Sequence, residues 1–244
     1  MTLFELRQVT KRYGTRVALQ PTDLTIHSGE TLVLIGPSGS GKSTVIRLLL
    51  GLEPVDGGAL LYRGAALLPQ TAAALRRQVG YVAQGGGLFP HLTAAQNVAL
   101  MARQLGWSQP RIEQRLGELA TLTRLPGDVL PRYPAQLSGG QAQRLSLMRA
   151  LMLDPEVVVL DEPLGALDPI TRYELQQDLR DVFQRLNKTV VMVTHDLTEA
   201  AWFAGRMVLL REGRIVQQGS LEDFRQRPAE PFVTRFLHAQ RSPA

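Results

Sequence analysis

Three textures of apolar spacing run along this chain, and each predicts a different element. Strict alternation in Leu3-Phe4-Glu5-Leu6-Arg7-Gln8-Val9 and in Leu24-Thr25-Ile26 predicts strands with one buried face, punctuated by turns at Tyr13-Gly14 and Ser28-Gly29. Unbroken apolar runs at Thr31–Ile35, Val79–Ala83, Glu156–Leu160 and Val190–Thr194 predict strands buried on both faces, as in a parallel sheet. A shorter strand, Ala59–Tyr62, follows the turn Asp56-Gly57-Gly58, and residues 206–217 read as a hairpin around Glu212-Gly213.

Helical spacing fills the intervals between the strands. Val45–Leu50 is closed by Gly51, and Leu75–Gln78 ends a small helix. Thr93 is placed to cap Ala94–Leu105, and Ser108 to cap a helix with Pro110 in its first turn and Ile112, Leu116 and Leu119 on its apolar face. Further helices are predicted up to Met152, over Ile170–Leu186 and in the last 25 residues, where Phe232 and Phe236 share a face.

One loop interrupts this pattern with its own chemistry. Gly36-Pro37-Ser38-Gly39-Ser40-Gly41-Lys42-Ser43-Thr44 fits G-x-x-x-x-G-K-[ST] between an apolar strand and a helix. Glycines let backbone N–H groups converge, a helix N-terminus favours anions, Lys42 reaches outer phosphates, and the Ser43 hydroxyl can hold magnesium. The loop therefore predicts a nucleotide-phosphate site. Leu137-Ser138-Gly139-Gly140-Gln141 opens a later helix in a similar way, a second phosphate-binding arrangement for which one nucleotide gives no use.

Other polar residues stand at the ends of apolar strands, where α/β sheets bind ligands. Gln84 follows Val79–Ala83 and precedes Gly85-Gly86-Gly87, a flexible hinge by composition. Asp161-Glu162 ends the Glu156–Leu160 strand. Asp161 is placed to hold magnesium and Glu162 to orient or deprotonate a water, although two acids there also suit a plain loop start. His195 follows Val190–Thr194 and could contact a γ-phosphate, whereas His27, His91 and His238 read as structural. Tyr13, beside a glycine turn, could stack on an adenine ring or simply pack.

Composition narrows the setting. The 244 residues hold 44% hydrophobic and 20% charged residues, ordinary for a soluble globular chain. No apolar run approaches the roughly 20 residues of a membrane span, and the N-terminus lacks the plan of a signal peptide, so a cytosolic chain is expected. Zero cysteines exclude disulfides and thiolate chemistry. The net charge of +5 is concentrated in residues 101–150, with seven Arg against three acids; spaced singly, these read as a solvated helical face and not a nucleic-acid surface.

The order Tyr13, Gly36–Thr44, Gln84, Leu137–Gln141, Asp161-Glu162, Asp168, His195 resembles the nucleotide-binding subunit of an ATP-binding-cassette (ABC) transporter over roughly Leu3 to Gly219. The resemblance implies an α/β fold: a P-loop NTPase core with a mostly parallel sheet, an N-terminal antiparallel β subdomain and an inserted helical signature subdomain. It implies an ATPase domain over 1–219, the helical insert at about 88–155, and a short helical tail over 220–244. It implies ATP and Mg²⁺, with Tyr13 stacking on adenine and Gly36–Thr44 cradling phosphate. Gln84 touches magnesium or the lytic water, Asp161 supports magnesium, Glu162 is the catalytic base and His195 the switch histidine, with Lys42 on the outer phosphates. Asp168 bridges subunits. Ser138, Gly139, Gly140 and Gln141 close over ATP held by a second cassette, which gives the second phosphate site its use.

A narrower resemblance rests on Gly87–Thr93, Tyr133-Pro134 and Leu167–Arg172, which look like importers of glycine betaine, choline and related amines. It implies a homodimer of cassettes on the cytoplasmic side of the cell membrane, separate transmembrane permease subunits docking near Gln84–Thr93 and the helical insert, a substrate-binding protein, and no nucleic acid. Several such importers carry paired CBS domains after the cassette; with this chain ending at Ala244, regulation through them is not expected. The alternative readings are an ABC exporter ATPase, or a soluble ABC-type ATPase acting on nucleic acid or ribosomes.

Overall fold

The computed structural model describes residues 1–165 and 167–239. In chain order, β1 (Thr2–Tyr13), β2 (Arg16–His27), β3 (Thr31–Ile35), α1 (Lys42–Leu49), β4 (Gly57–Tyr62), β5 (Ala65–Ala66) and α2 (Pro69–Arg76) come first. β6 (Val79–Val82), α3 (Ala94–Gln104), α4 (Gln109–Leu122), α5 (Gly139–Leu151), β7 (Val157–Asp161) and α6 (Pro169–Leu186) follow. β8 (Thr189–Val193), α7 (Leu197–Phe203), β9 (Arg206–Arg211), β10 (Arg214–Gly219), α8 (Leu221–Gln226) and α9 (Pro231–Ala239) complete it. These elements form two compact units, Met1–Arg76 with the chain from Thr189, and Arg77–Lys188.

In the first unit, β1 pairs antiparallel with both β2 and β4, giving a sheet in the order β2-β1-β4-β5. The predicted alternation is obeyed, with Phe4, Leu6, Val9, Leu24 and Ile26 buried. Both strands run further than the alternation suggested, because register shifts between Leu6 and Val9 let pairing continue past the polar stretch. β3 pairs parallel with β8 on one side and β9 on the other, and β9 turns back into β10. Leu32, Val33, Leu34 and Ile35 have no solvent exposure, as expected of a strand covered on both faces. At about 1.5–3 kcal/mol per buried aliphatic side chain, this strand is a rigid base for the loop that follows it.

In the second unit, β6 and β7 pair parallel from Val79↔Val157 to Val82↔Leu160. Helices α3, α4 and α5 pack through Val98, Ala102, Ile112, Leu116, Leu119, Leu145 and Met148. Thr93 caps α3 with a reciprocal capping box to Gln96. Ser108 occupies the N-cap position of α4, but its side chain makes no capping bond, which corrects the expectation from sequence. Pro110 in the first turn supplies the helical φ instead. Among the described residues no helix is long and apolar enough to cross a membrane.

Candidate active site

The glycine loop leaves β3 at Gly36, where φ is 142° and a Cβ would lie 2.2 Å from the Leu210 carbonyl oxygen of β9. Only glycine fits so close an approach. Lys42 folds back over the loop and donates from Nζ to the carbonyls of Gly36 at 2.8 Å and Pro37 at 2.9 Å. Gly41, at φ 110°, stands at the N-cap of α1 with no side-chain cap, so the first N–H groups of that helix are not consumed by a capping side chain. The Ser40 hydroxyl is buried with no hydrogen-bond partner among the described residues.

Gly39–Thr44 line a cavity of about 370 Å³ together with Tyr13, Arg16, Ala18 and Arg47. Three cations, Arg16, Lys42 and Arg47, face it with no acid among the lining residues. The helix dipole adds further positive potential, so the cavity is built for an anion of phosphate character. Tyr13 closes one side at the end of β1; the residue is 38% exposed, with the Lys11 ammonium 5.6 Å from the ring centroid. A flat, half-open ring beside a phosphate cradle can stack on a base.

His195 belongs to the same unit. β8 runs parallel to β3, and Thr194 N donates to Leu34 O at 3.2 Å. Thr194 is fixed on its side-chain face too: Oγ1 donates to the buried carboxylate of Glu199 at 2.6 Å and accepts from Asp196 N at 3.0 Å. Asp196 then caps α7. His195 is thus held at the carboxyl edge of β8, as Gly36 is at that of β3. Glu199 escaped the sequence reading because a glutamate in a helix first turn looks like an ordinary surface acid.

In the second unit the parallel strands β6 and β7 deliver Gln84, Asp161 and Glu162. Gln84 Nε2 donates to Glu162 Oε2 at 3.0 Å, and Tyr81 Oη lies 3.4 Å from Asp161 Oδ2. Glu162 has φ 49°, a left-handed conformation uncommon for a residue with a Cβ. A carboxylate held in that conformation and tied to an amide has one direction to face, which suits a base that must meet a positioned water.

Ser138–Gln141 and Asp168 stand at two helix N-termini of the second unit. Ser138 Oγ accepts from Gln141 N at 3.2 Å while Gln141 Oε1 accepts from Ser138 N at 3.0 Å, a capping box that opens α5. A Cβ on Gly140 would come within 2.7 Å of Thr171 Cγ2 in α6, so the two N-termini pack directly. Asp168 caps α6, accepting at Oδ1 from Ile170 N at 3.1 Å and Thr171 N at 3.0 Å. The hydrogen bond from the Thr171 side chain, then that from its backbone, hold the Asp168 carboxyl below the usual carboxylate range.

Two expectations from sequence change. Gly85, Gly86 and Gly87 are no free hinge: the carbonyls of Gly86 and Gly87 are taken by Ser146 and Arg149. The arginines of residues 101–150 are not a uniformly solvated face either. Arg115 and Arg144 donate to the Leu151 and Thr123 carbonyls, and Arg124 and Arg144 converge on the buried carboxylate of Asp178. Composition could not tell a solvated guanidinium from one spanning two helices. Asn97 was also missed: fully buried, it donates from Nδ2 to the carbonyls of Phe89, Leu92 and Thr93 and accepts from Phe89 N, fixing the loop after Gln84.

The profile of the family described as ABC transporter matches residues 19–165. The glycine betaine/carnitine/choline transport ATP-binding protein OpuCA of Bacillus subtilis is 42% identical over 98% of this chain, which spans 63% of OpuCA. The glycine betaine uptake system ATP-binding protein YehX of Escherichia coli is 42% identical over 96% of this chain, which spans 76% of YehX. The dimeric structure of MJ0796, a bacterial ABC transporter cassette, matches with a TM-score of 0.82 at 33% identity, covering 90% of this chain and 99% of that one. A second dimeric structure of MJ0796, in a post-hydrolysis state bound to ADP and Pi, matches with a TM-score of 0.81.

Proposed function

The chain belongs to the ABC transporter family, and from that premise we propose that it is the ATP-hydrolysing subunit of an importer for an osmoprotectant such as glycine betaine, choline or a related amine. The observation that carries the catalytic reading is the hydrogen bond from Gln84 Nε2 to Glu162 Oε2. It joins a group that orients water to a group that takes its proton. Tyr13 stacks on adenine, the loop N–H groups and Lys42 hold the phosphates, and Glu162 deprotonates the attacking water. His195 donates to the γ-phosphate as charge develops there.

Magnesium suits the donors assigned to it. Ser43, Asp161 and Gln84 each offer an oxygen, the ligand type magnesium takes. Magnesium is held through few protein ligands, usually one or two of them carboxylates, and completes its shell from phosphate and water. When bound it neutralises charge on the phosphate oxygens.

A second copy of the chain contributes Ser138–Gln141 and Asp168 to each nucleotide. ATP then binds the closed pair better than the open one, and that difference in affinity drives the transmembrane partners. Those permease subunits dock at the cytoplasmic side of the membrane on the segment after Gln84. Phe89, 42% exposed in that segment, supports an apolar contact with them. Import is favoured over export by the likeness to YehX, an uptake-system protein.

Size-exclusion chromatography with ATP tests the catalytic reading: Glu162→Gln is expected to elute as an ATP-bound dimer with hydrolysis nearly abolished. Turnover of Glu162→Gln at the wild-type rate would remove Glu162 from the role. For the solute, the chain purified with its membrane partners is expected to hydrolyse ATP faster when a glycine betaine-loaded binding protein is added; no response to any quaternary amine would overturn that part.

A further inference from the structure

Gln84 is followed by three residues in succession with left-handed backbone: Gly85 (φ 69°), Gly86 (φ 78°) and Gly87 (φ 57°). Such a run turns successive carbonyls to one side, and here that side is α5. Arg149 Nη1 donates to Gly87 O at 2.7 Å and Nη2 to Gly86 O at 2.8 Å. Ser146 Oγ, fully buried, lies 3.0 Å from Gly86 O and 2.9 Å from Ala142 O, its single proton shared between them. A Cβ on Gly86 would come within 2.8 Å of Ser146 Oγ, so loop and helix are in direct contact.

Arg149 is half-buried and has no carboxylate partner among the described residues; burial alone pushes its pKa down. An unneutralised guanidinium taken partly out of water is costly unless its donors are satisfied. Its planar fork matches two adjacent carbonyls, a geometry a lysine ammonium cannot reproduce. Eleven residues earlier on the same helix, about 16 Å along its axis at 1.5 Å per residue, stands Ser138. One rigid element thus carries Ser138 at one end and grips the loop behind Gln84 at the other.

We propose that Arg149, assisted by Ser146, is a positioning residue that sets Gln84 against Glu162 through the carbonyls of Gly86 and Gly87. The loop that Arg149 grips then follows any movement of α5. This rests on the roles of Gln84 and Glu162 in the reading above.

Two measurements on the full chain test it. Hydrogen–deuterium exchange of the peptide spanning residues 83–89 is expected to rise in Arg149→Ala and, less, in Ser146→Ala, with residues 36–44 unchanged. Unchanged exchange at 83–89 overturns the proposal whether or not the chain turns over ATP. In steady-state kinetics, Arg149→Ala is expected to lower kcat tenfold or more and Ser146→Ala severalfold, each with KM for ATP within twofold. In a Gln84→Ala background both are expected to cost less than twofold. Equal losses in the two backgrounds would mean that neither residue acts through Gln84, and would overturn the proposal. Ser146→Ala removes one hydroxyl only, so it decides the matter if Arg149→Ala unfolds. A wild-type chain that does not hydrolyse ATP refutes the proposed function instead, and the exchange measurement still decides the grip.

Discussion

Gln84 and Glu162 meet by a hydrogen bond of 3.0 Å from Nε2 to Oε2, although 78 positions separate them in the chain. Adjacent parallel strands, β6 and β7, bring their carboxyl ends side by side. The bond occupies the carboxylate oxygen and fixes which way the left-handed Glu162 faces. Removing the amide with Gln84→Ala leaves the base in place but unoriented. Phosphate release under steady state is expected to show kcat lowered about 10–100-fold, with Glu162→Gln lower still by general-base magnitudes of about 10²–10⁴.

Lys42 offers a separate test, of binding. Its ammonium bridges the Gly36 and Pro37 carbonyls, and charged hydrogen bonds of this kind contribute about 1.5–3 kcal/mol each. Lys42→Ala is expected to weaken equilibrium binding of a fluorescent ATP analogue by at least tenfold. Arg16→Ala, at the cavity rim, is expected to weaken it less.

Gly36 and Gly14 both have positive φ, yet they should tolerate alanine very differently. A Cβ on Gly36 meets the Leu210 carbonyl at 2.2 Å, whereas nothing lies within 4 Å of one on Gly14. Gly14→Ala carries only left-handed strain, about 1–2 kcal/mol. Thermal melting is expected to show a modest loss for Gly14→Ala and a large one for Gly36→Ala, with nucleotide binding abolished in the latter.

Asp168 predicts a pH dependence. The Thr171 side chain first, then backbone N–H groups at the start of α6, lower its folded pKa. A depressed carboxyl pKa contributes stability above the unfolded value, near 3.9, and that contribution is lost as pH falls through the folded value. Asn retains cap geometry without titrating. Melting curves between pH 7 and pH 3 are expected to fall more steeply for wild type than for Asp168→Asn, the two diverging below about pH 4.

Much of this protein was legible in its sequence because the deciding physics is local. Four uninterrupted apolar runs announced strands buried on both faces, and their boundaries hold to within a residue or two. The glycine loop announced itself through residue types that only one backbone path accepts, and Thr93 and Ser138 stand at the helix N-termini where the sequence placed them, each in a capping box spanning four residues. Each of these is a relation between near neighbours, so a linear string contains it whole.

Tertiary structure decided whatever depends on a partner distant in the chain. Gly85–Gly87 read as a hinge because glycine permits many conformations; Arg149 and Ser146, some 60 positions later, select one. Arg124 and Arg144 read as solvated until the fold set them against Asp178. Glu199 and Asn97 carry no signal in the sequence, yet both are buried and hold the turns beside His195 and after Gln84. A side chain's type fixes which bonds it can make, but only the packed fold fixes which carbonyl or carboxylate stands within 3 Å of it. The sequence by itself therefore determined the strands, the phosphate loop and the places where the helices begin. Only the tertiary structure decided how Gln84, Glu162 and His195 are held in place.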